Sequence, residues 1–139
     1  MGQLDGRCLC GKVTYKCDGE PVATLICHCT DCQRASGSPL SVVVGVERNT
    51  FELDGDTVSS FTTVGEDTGD PVHRQFCSAC GSTLVSIADA TPDMVWIKVG
   101  TLNDYSWLEP EMEIWARSKH PYIQTEPETR GVFERSVPF

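Results

Sequence analysis

Apolar and polar residues alternate along short stretches of the chain, and the turn-forming residues Gly, Pro, Asp and Asn separate these stretches. β-Branched and aromatic residues dominate the stretches, which is typical of strands. The pattern predicts strands at residues 12–17, 23–29, 40–46, 50–55, 57–63, 73–78, 83–88, 94–102 and 112–117. Since no segment keeps a helical repeat of apolar positions over several turns, we expect an all-β fold.

One or two short helical turns are compatible with this pattern. The segment TDCQRAS, residues 30–36, is the clearest candidate, with Thr30 or Asp31 as its N-cap. The acidic, glycine-rich stretch at residues 65–71 predicts an exposed hairpin loop. From His120 onward, prolines predict a tail that crosses the surface without adding long strands.

Length and charge set limits on organisation and partners. A chain of 139 residues suits one domain, which we expect to span residues 1–139. The formal charge of −9 argues against nucleic acid as a partner, because Lys and Arg supply the affinity for phosphate. No apolar run approaches the roughly 18 residues that span a bilayer, and the N-terminus has no secretory-signal pattern. We therefore expect a cytoplasmic protein with no membrane partner.

Cysteine carries most of the chemical information in this sequence. In a reducing cytoplasm, the eight cysteines indicate metal ligands or redox groups rather than structural disulfides. Their spacing divides them into two pairs, a triple and a single residue, which are Cys8 and Cys10, Cys77 and Cys80, Cys27, Cys29 and Cys32, and Cys17.

The two pairs together predict a closed structural zinc site. Cys8 and Cys10 have C-x-C spacing, which places both side chains on one face of a strand. Cys77 and Cys80 have the C-x-x-C spacing of a zinc knuckle, and Gly81 can complete the tight turn. Such a zinc would join the N-terminal strand to a hairpin far along the chain.

The triple predicts a second, open zinc site. Cys27 and Cys29 share the face of a predicted strand, and Cys32 follows on the next turn. Three protein ligands with one open position are typical of catalytic zinc. Cys17 has no partner at metal-ligand spacing, so we expect a free thiol that is buried or partly exposed.

Other interpretations of the triple remain open at this point. The three residues could share a four-thiolate site with one of the pairs, form a Cys29–Cys32 redox disulfide, or be buried thiols. In a noncatalytic binding module, both metals would be structural and a fourth ligand would come from His73, His120 or Cys17. In a redox or metal sensor, oxidation of Cys27, Cys29 or Cys32 would release the zinc.

The cysteines and their neighbours resemble a known family. The order CxCGxVxY, then CHCxxCQRxSGS, then FCxxCGS is similar to the glutathione-dependent formaldehyde-activating enzymes, also called the CENP-V/GFA domain. The matching residues are Cys8, Cys10, Gly11, Val13, Tyr15, Cys27, His28, Cys29, Cys32, Gln33, Arg34, Ser36, Gly37, Phe76, Cys77, Cys80 and Gly81. The later segments VGTLND and EIWARSKHPYI also resemble this family, so the similarity extends from about Cys8 to Tyr122.

The resemblance implies a fold, two metal sites and a reaction. The fold would be a β-tent of short antiparallel strands around a four-cysteine structural zinc, with a second zinc on three cysteines. The reaction would be of the carbon–sulfur lyase type, S-(hydroxymethyl)glutathione synthase-like, on a small thiol or thiol–aldehyde adduct such as that of glutathione with formaldehyde. We expect a monomer or a homodimer.

Residues beside the triple could assist this chemistry. A zinc held by thiolates suits soft ligands, and a coordinated substrate thiol is deprotonated. Arg34 could anchor a substrate carboxylate through its guanidinium fork, or pair with a surface acid. His28 should face away from Cys27 and Cys29 in a strand, which favours a packed or hydrogen-bonded histidine over a ligand.

The remaining polar and aromatic candidates have simpler interpretations. Arg117, Lys119 and His120 form either a basic lip for an anionic thiol or a solvated edge strand. His73 and Arg74 are interpreted as structural residues. Trp96, Trp107 and Trp115 are expected in the core rather than in a pocket.

Overall fold

Strands account for most of the regular structure of this computed structural model, which describes residues 4–65, 68–125 and 131–135. The strands of these ranges are β1 (Leu4–Arg7), β2 (Thr14–Cys17), β3 (Ala23–Cys27), β4 (Ser41–Glu47), β5 (Phe51–Asp54), β6 (Val58–Val64), β7 (Pro71–Cys77), β8 (Thr83–Ala88), β9 (Met94–Lys98) and β10 (Met112–Ile114). The same ranges contain one α-helix, α1 (Thr30–Ser36), and 3-10 turns at Arg48–Thr50, Val99–Thr101 and Ala116–Ser118. The expected all-β fold class is confirmed.

The strands form two sheets. The smaller has the order β1-β2-β5, and the larger has the order β10-β3-β4-β9-β8-β7-β6. Every pairing between these strands is antiparallel except that of β10 with β3, which is parallel. The expectation of antiparallel strands therefore fails at β10. A parallel neighbour requires a crossover, and here the long stretch of chain between β3 and β10 supplies it.

Strand ends differ from the sequence pattern at identifiable residues. β9 ends at Lys98 because the chain enters a 3-10 turn, and β10 ends at Ile114 because Trp115 adopts a left-handed conformation with φ 56°. β1 was not predicted, since Gly6 and the charged Asp5 and Arg7 mask its alternation of buried and exposed positions. α1 coincides with the predicted helical segment.

The two faces of the larger sheet contribute to two separate hydrophobic cores. Successive side chains of a strand point to opposite faces, so Val44 and Val46 of β4 enter one core and Val43 enters another. The first core lies between the sheets and includes Cys8, Cys17 and Cys77. The second lies on the opposite face and consists of Ala23, Leu25, Cys27, Cys29, Cys32, Val43, Trp96, Met112 and Ile114. Each group of predicted metal ligands is therefore associated with its own core.

The predicted loop and tail lie partly outside the described residues. β6 and β7 pair from Val58 opposite Cys77 to Val64 opposite Pro71, so the predicted loop lies at the turn of a hairpin, and Pro71 already belongs to β7. Residues 66–67 of this loop and residues 126–130 and 136–139 of the tail are not described. No helix of the described ranges is long and apolar enough to cross a membrane.

Candidate metal centres and the adjoining cavity

The sulfurs of the two cysteine pairs converge at one point. Cys8 and Cys10 Sγ lie 3.6 Å apart, and Cys10 and Cys77 Sγ lie 3.8 Å apart. With Cys80, all four sulfurs lie within 4.8 Å of one another. Tetrahedral zinc with Zn–S bonds of about 2.3 Å requires sulfurs about 3.8 Å apart. The donor set and its spacing therefore fit zinc.

Matching turns bring these pairs together. Gly11 and Gly81 both have left-handed backbones, with φ of 80° and 79°. The Gly11 amide donates to the carbonyl of Cys8 at 3.2 Å, and the Gly81 amide donates to that of Cys77 at 2.7 Å. The C-x-C pair thus lies in the turn after β1 rather than on a strand face, so the expected strand geometry was wrong although the expected convergence is present.

Hydrogen bonds surround the sulfurs of this cluster. The Val13 amide donates to Cys8 Sγ at 3.3 Å. Ser82 Oγ lies 3.3 Å from Cys80 Sγ and accepts from the Leu9 amide at 2.9 Å, which links the turns. This hydroxyl, followed by backbone amides, lowers the pKa of Cys80 to about 5. Sequence reasoning missed Ser82, although its position directly after the C-x-x-C-G motif was a usable signal.

The three remaining predicted ligands meet where β3 leads into α1. Cys27 ends β3, Cys29 is the N-cap of α1, and Cys32 lies in the first turn. Cys29 Sγ accepts from the Cys32 amide at 3.3 Å, so the predicted caps Thr30 and Asp31 were wrong. All three cysteines are buried and their sulfurs lie within 4.8 Å of one another, with those of Cys27 and Cys32 3.7 Å apart. This spacing also fits zinc.

The charge distribution around the triple favours a thiolate at Cys32. Side-chain hydrogen bonding with Cys27 and Cys29 holds the pKa of Cys32 well below its ordinary value, although burial opposes this effect. The positive charges of Lys98 and Arg74 lower that pKa further. Arg74 Nη1 lies 3.6 Å from Cys32 Sγ.

His28 is a buried hydrogen-bonded histidine, as predicted from its position between two cysteines. Its side chain has no solvent exposure, and Nε2 lies 2.5 Å from Glu113 Oε1 on the neighbouring strand β10. Glu113 also accepts from Thr125 and lies 3.0 Å from Lys119 Nζ. Burial alone would raise the pKa of Glu113, but hydrogen bonds from Thr125, Lys119 and His28 outweigh it, and the pKa is lowered.

The other suggested fourth ligands are engaged elsewhere. His73 contacts Thr62 and Asp89, His120 contacts Gln33 and Tyr122, and Cys17 contacts Thr50. Within the described residues, only Cys27, Cys29 and Cys32 have ligand atoms close enough together to share this metal. The arrangement thus offers three protein ligands and leaves a coordination position available.

A cavity of about 210 Å³ opens against these three sulfurs. Its surface is mainly apolar, with walls that include Leu25, Val43, Trp96, Ile114 and Trp115. The expectation that Trp96 and Trp115 belong to the core alone was wrong, because both side chains line this cavity. Trp107 instead packs against the first core, as expected.

Strand register decides which polar side chains reach the cavity. Arg74 of β7 lies opposite Ser86 of β8, and Ser86 lies opposite Trp96 of β9. Lys98 follows two residues after Trp96 and lies opposite Val43 of β4. Directly opposed residues share a face of the sheet, so this row projects into the cavity with the cysteines. Arg74 is therefore a site residue, and its purely structural interpretation was wrong.

The whole arrangement corresponds to a known family. Residues 3–118 match the family model described as Glutathione-dependent formaldehyde-activating enzyme. The chain belongs to this family. The resemblance seen in the cysteine motifs is thereby confirmed.

A solved structure shows the same fold as this formaldehyde-activating family member. It is the crystal structure of a Rhodobacter sphaeroides protein, a structural genomics target, with a TM-score of 0.57 at 17% sequence identity. The similarity covers 71% of this chain and 87% of that chain. At this identity the likeness supports the fold alone. No curated protein matches the chain.

Two predicted site features of this family member lie away from the cavity. Arg34 is exposed on α1 and is not among the residues that line the cavity. The basic segment likewise does not line it: Lys119 contacts Glu113, and the Arg117 guanidinium lies 5.0 Å from the centre of the Trp115 ring. Among the described residues, the cations that line the cavity are Arg74 and Lys98.

Proposed function

We propose that the protein is a zinc-dependent enzyme of the carbon–sulfur lyase type. It forms or breaks the bond between a thiol sulfur and an aldehyde carbon, in a reaction like that of S-(hydroxymethyl)glutathione synthase. The observation that carries the proposal is the three buried cysteine sulfurs, spaced as zinc ligands, at the wall of a cavity.

The two cysteine groups hold metal for different purposes in this proposal. Cys8, Cys10, Cys77 and Cys80 hold a structural zinc that joins the turn after β1 to the turn between β7 and β8. Cys27, Cys29 and Cys32 hold a second zinc. When bound, this zinc supplies a positive centre at which a substrate thiol is stable as a thiolate.

The protein side chains arrange the reactants around that centre. Arg74 donates to Cys32 Sγ and offsets the negative charge of the three thiolates. The apolar walls exclude water, which strengthens these electrostatic contacts. Trp96 and Trp115 confine the reactants so that the thiol sulfur meets the aldehyde carbon in one orientation.

The reaction balances without an oxidant or reductant. The thiolate sulfur bonds to the carbonyl carbon, and the π electrons of the C=O bond move to the oxygen. The thiol releases its proton to water when the thiolate forms, water returns a proton to the alkoxide, and the product is a hemithioacetal. In the reverse direction, the hydroxyl gives its proton to water, the C–S bond breaks with its electrons on sulfur, the aldehyde leaves, and the thiolate takes a proton from water.

A turnover measurement on the zinc-loaded protein tests this proposal. NMR exchange spectroscopy with ¹³C-formaldehyde and a thiol measures the rate of adduct formation against the uncatalysed rate. We expect faster exchange with the wild-type protein and the background rate with Cys29→Ser. If the wild-type protein with two zincs per chain gives only the uncatalysed exchange rate, the proposed enzyme function is refuted and a binding module is favoured.

X-ray absorption at the zinc edge provides a second test. We expect the three-cysteine site to show three sulfurs and one exchangeable light ligand. A fourth sulfur or a histidine nitrogen that does not exchange would instead indicate two structural sites. Measuring Cys29→Ser beside wild type separates the signals of the two zincs.

A further inference from the structure

The cavity wall contains a buried hydroxyl that no described protein group satisfies. Ser86 is 7% exposed, and its Oγ has no hydrogen-bond partner. Leaving such a group unpaired is unfavourable, because it gives up its hydrogen bonds to water without replacement. Ser86 lines the cavity, and rotation about its χ1 turns the buried hydroxyl toward a ligand placed there. This hydroxyl marks a position for a polar group of the substrate.

Two cations flank Ser86, and each has a distinct environment. Arg74 lies directly opposite Ser86, and Lys98 is its diagonal neighbour across β9. Diagonal neighbours lie about 7–8 Å apart, within reach of a long side chain. Arg74 is committed in part to the sulfur of Cys32. Lys98 Nζ contacts the hydroxyl of Ser41 at 3.1 Å and forms no salt bridge with a carboxylate of the described residues.

The contacts of the two cavity-lining cations limit the number of anionic groups that the cavity accepts. Arg74 contacts Cys32 Sγ, whereas Lys98 forms no salt bridge within the described residues. Lys98 is therefore available to one carboxylate of the substrate. Two acidic residues, Asp31 and Asp70, also line the cavity and disfavour a second carboxylate.

The size and polarity of the remaining wall restrict the rest of the substrate. Sites for drug-sized ligands usually enclose about 300–1,000 Å³. This cavity has about 210 Å³, and most of its lining is apolar. A peptide group placed against Leu25, Val43 or Ile114 loses its hydrogen bonds to water without replacement. The tripeptide glutathione, with its peptide groups, two carboxylates and ammonium, is therefore a poor match.

We propose that the cavity selects a compact thiol–aldehyde adduct with an apolar body and a single carboxylate, held by Lys98 and Ser86, in preference to an adduct of glutathione. The inference rests on the proposed function, since it assigns the substrate of the same site. The reaction is unchanged: the same C–S bond forms or breaks, on a smaller and less polar thiol.

Binding is tested first with compounds that cannot react. The probes are 3-phenylpropanoate, its neutral amide 3-phenylpropanamide, and S-methylglutathione. Trp96 and Trp115 line the cavity, so intrinsic fluorescence of the zinc-loaded protein reports binding. We expect 3-phenylpropanoate to bind at least tenfold more tightly than either of the other probes. Equal or tighter binding of S-methylglutathione would overturn the proposal.

Substitutions assign the carboxylate contact. Lys98→Met should weaken the binding of 3-phenylpropanoate about tenfold. The affinity for 3-phenylpropanamide should stay within about twofold of wild type. The matched control is Lys16→Met, because Lys16 is 59% exposed in a pair with Glu52 on the smaller sheet. Equal effects of the two Lys→Met variants would contradict the assignment. Ser86→Ala keeps all charges and should weaken the binding of 3-phenylpropanoate several-fold. This variant provides a second test if Lys98→Met does not fold.

Turnover separates this inference from the proposed function. Formaldehyde exchange is measured with 2-mercapto-3-phenylpropanoate and with glutathione. A higher kcat/KM for the compact thiol supports both proposals. A higher value for glutathione overturns the substrate assignment and leaves the enzyme proposal intact. Binding that depends on the carboxylate, without turnover of either thiol, supports the assigned ligand class. It refutes the proposal that the protein is an enzyme.

Discussion

His28 Nε2 lies 2.5 Å from Glu113 Oε1, and neither side chain has any solvent exposure. The pair joins the short segment between Cys27 and Cys29 to the parallel edge strand β10. It therefore fixes the backbone that carries two of the three ligands of the proposed second zinc.

Breaking this pair should be costly. Glu113→Ala leaves His28 buried without its partner, and we expect a loss of about 3–5 kcal/mol in the free energy of unfolding. Urea denaturation at a fixed zinc concentration measures the loss. The exposed pair of Lys16 and Glu52 is the control, where Glu52→Ala should cost no more than about 1 kcal/mol. Similar losses at both sites would contradict a structural role for the buried pair.

The same carboxylate predicts a pH dependence. The folded-state pKa of Glu113 lies below its ordinary value of 4.5 because its hydrogen bonds outweigh the effect of burial. A carboxylate of this kind adds stability that is present above pH 4.5 and is lost as pH falls through the folded-state pKa. Wild type should therefore lose stability below pH 4.5 more steeply than Glu113→Gln. Both proteins keep all cysteines, and their zinc content measured at each pH separates unfolding from acid release of zinc. Parallel curves would contradict this prediction.

The two cysteine groups should respond differently to substitution. We expect two zincs per chain in wild type and one in Cys29→Ser, with the far-ultraviolet circular dichroism of a folded protein retained. Cys80→Ser should instead abolish cooperative folding, because a structural zinc contributes on the order of 10 kcal/mol. Elemental analysis and thermal unfolding check both outcomes. Two zincs in Cys29→Ser would show that the triple does not bind metal.

The two arginines near the triple provide a direct test of the site. Arg74 contacts Cys32 Sγ and lines the cavity, whereas Arg34 is exposed outside it. A hydrogen bond to a charged group contributes about 1.5–3 kcal/mol, which corresponds to at least about a tenfold change in kcat/KM. Arg74→Gln should show this loss, and Arg34→Gln should remain within about twofold of wild type. The opposite result would restore Arg34 as the substrate anchor.

Gly45 determines where Trp96 lies. The residues are opposed across β4 and β9, and a Cβ at Gly45 would lie 2.6 Å from Trp96 Cζ3. Gly45→Ala should therefore displace the ring, cost about 1–3 kcal/mol and weaken 3-phenylpropanoate binding. Tryptophan fluorescence and urea denaturation measure these effects. Gly100→Ala is the control, since nothing lies within 4 Å of its Cβ position, and equal effects would show that this contact is unimportant.

The cysteine groups and most strands could be derived from the sequence because both depend on local spacing. A C-x-C or C-x-x-C segment brings its own sulfurs together in any suitable turn, and glycine permits the turn. Strand alternation is equally local, and β8 and α1 have the predicted boundaries. The burial of His28 also followed from its place between two cysteines.

The sequence by itself thus determined the fold class, the family and which cysteines act together. Only the tertiary structure decided which side chains surround the triple. Arg34 is close to Cys32 in sequence but exposed, whereas Arg74 is distant in sequence and reaches the same sulfur through the register of β7 with β8. Ser86 and Lys98 reach the cavity by the same pairing of strands. Register is a long-range property of the sheet, since a shift of one residue would turn each of these side chains to the opposite face.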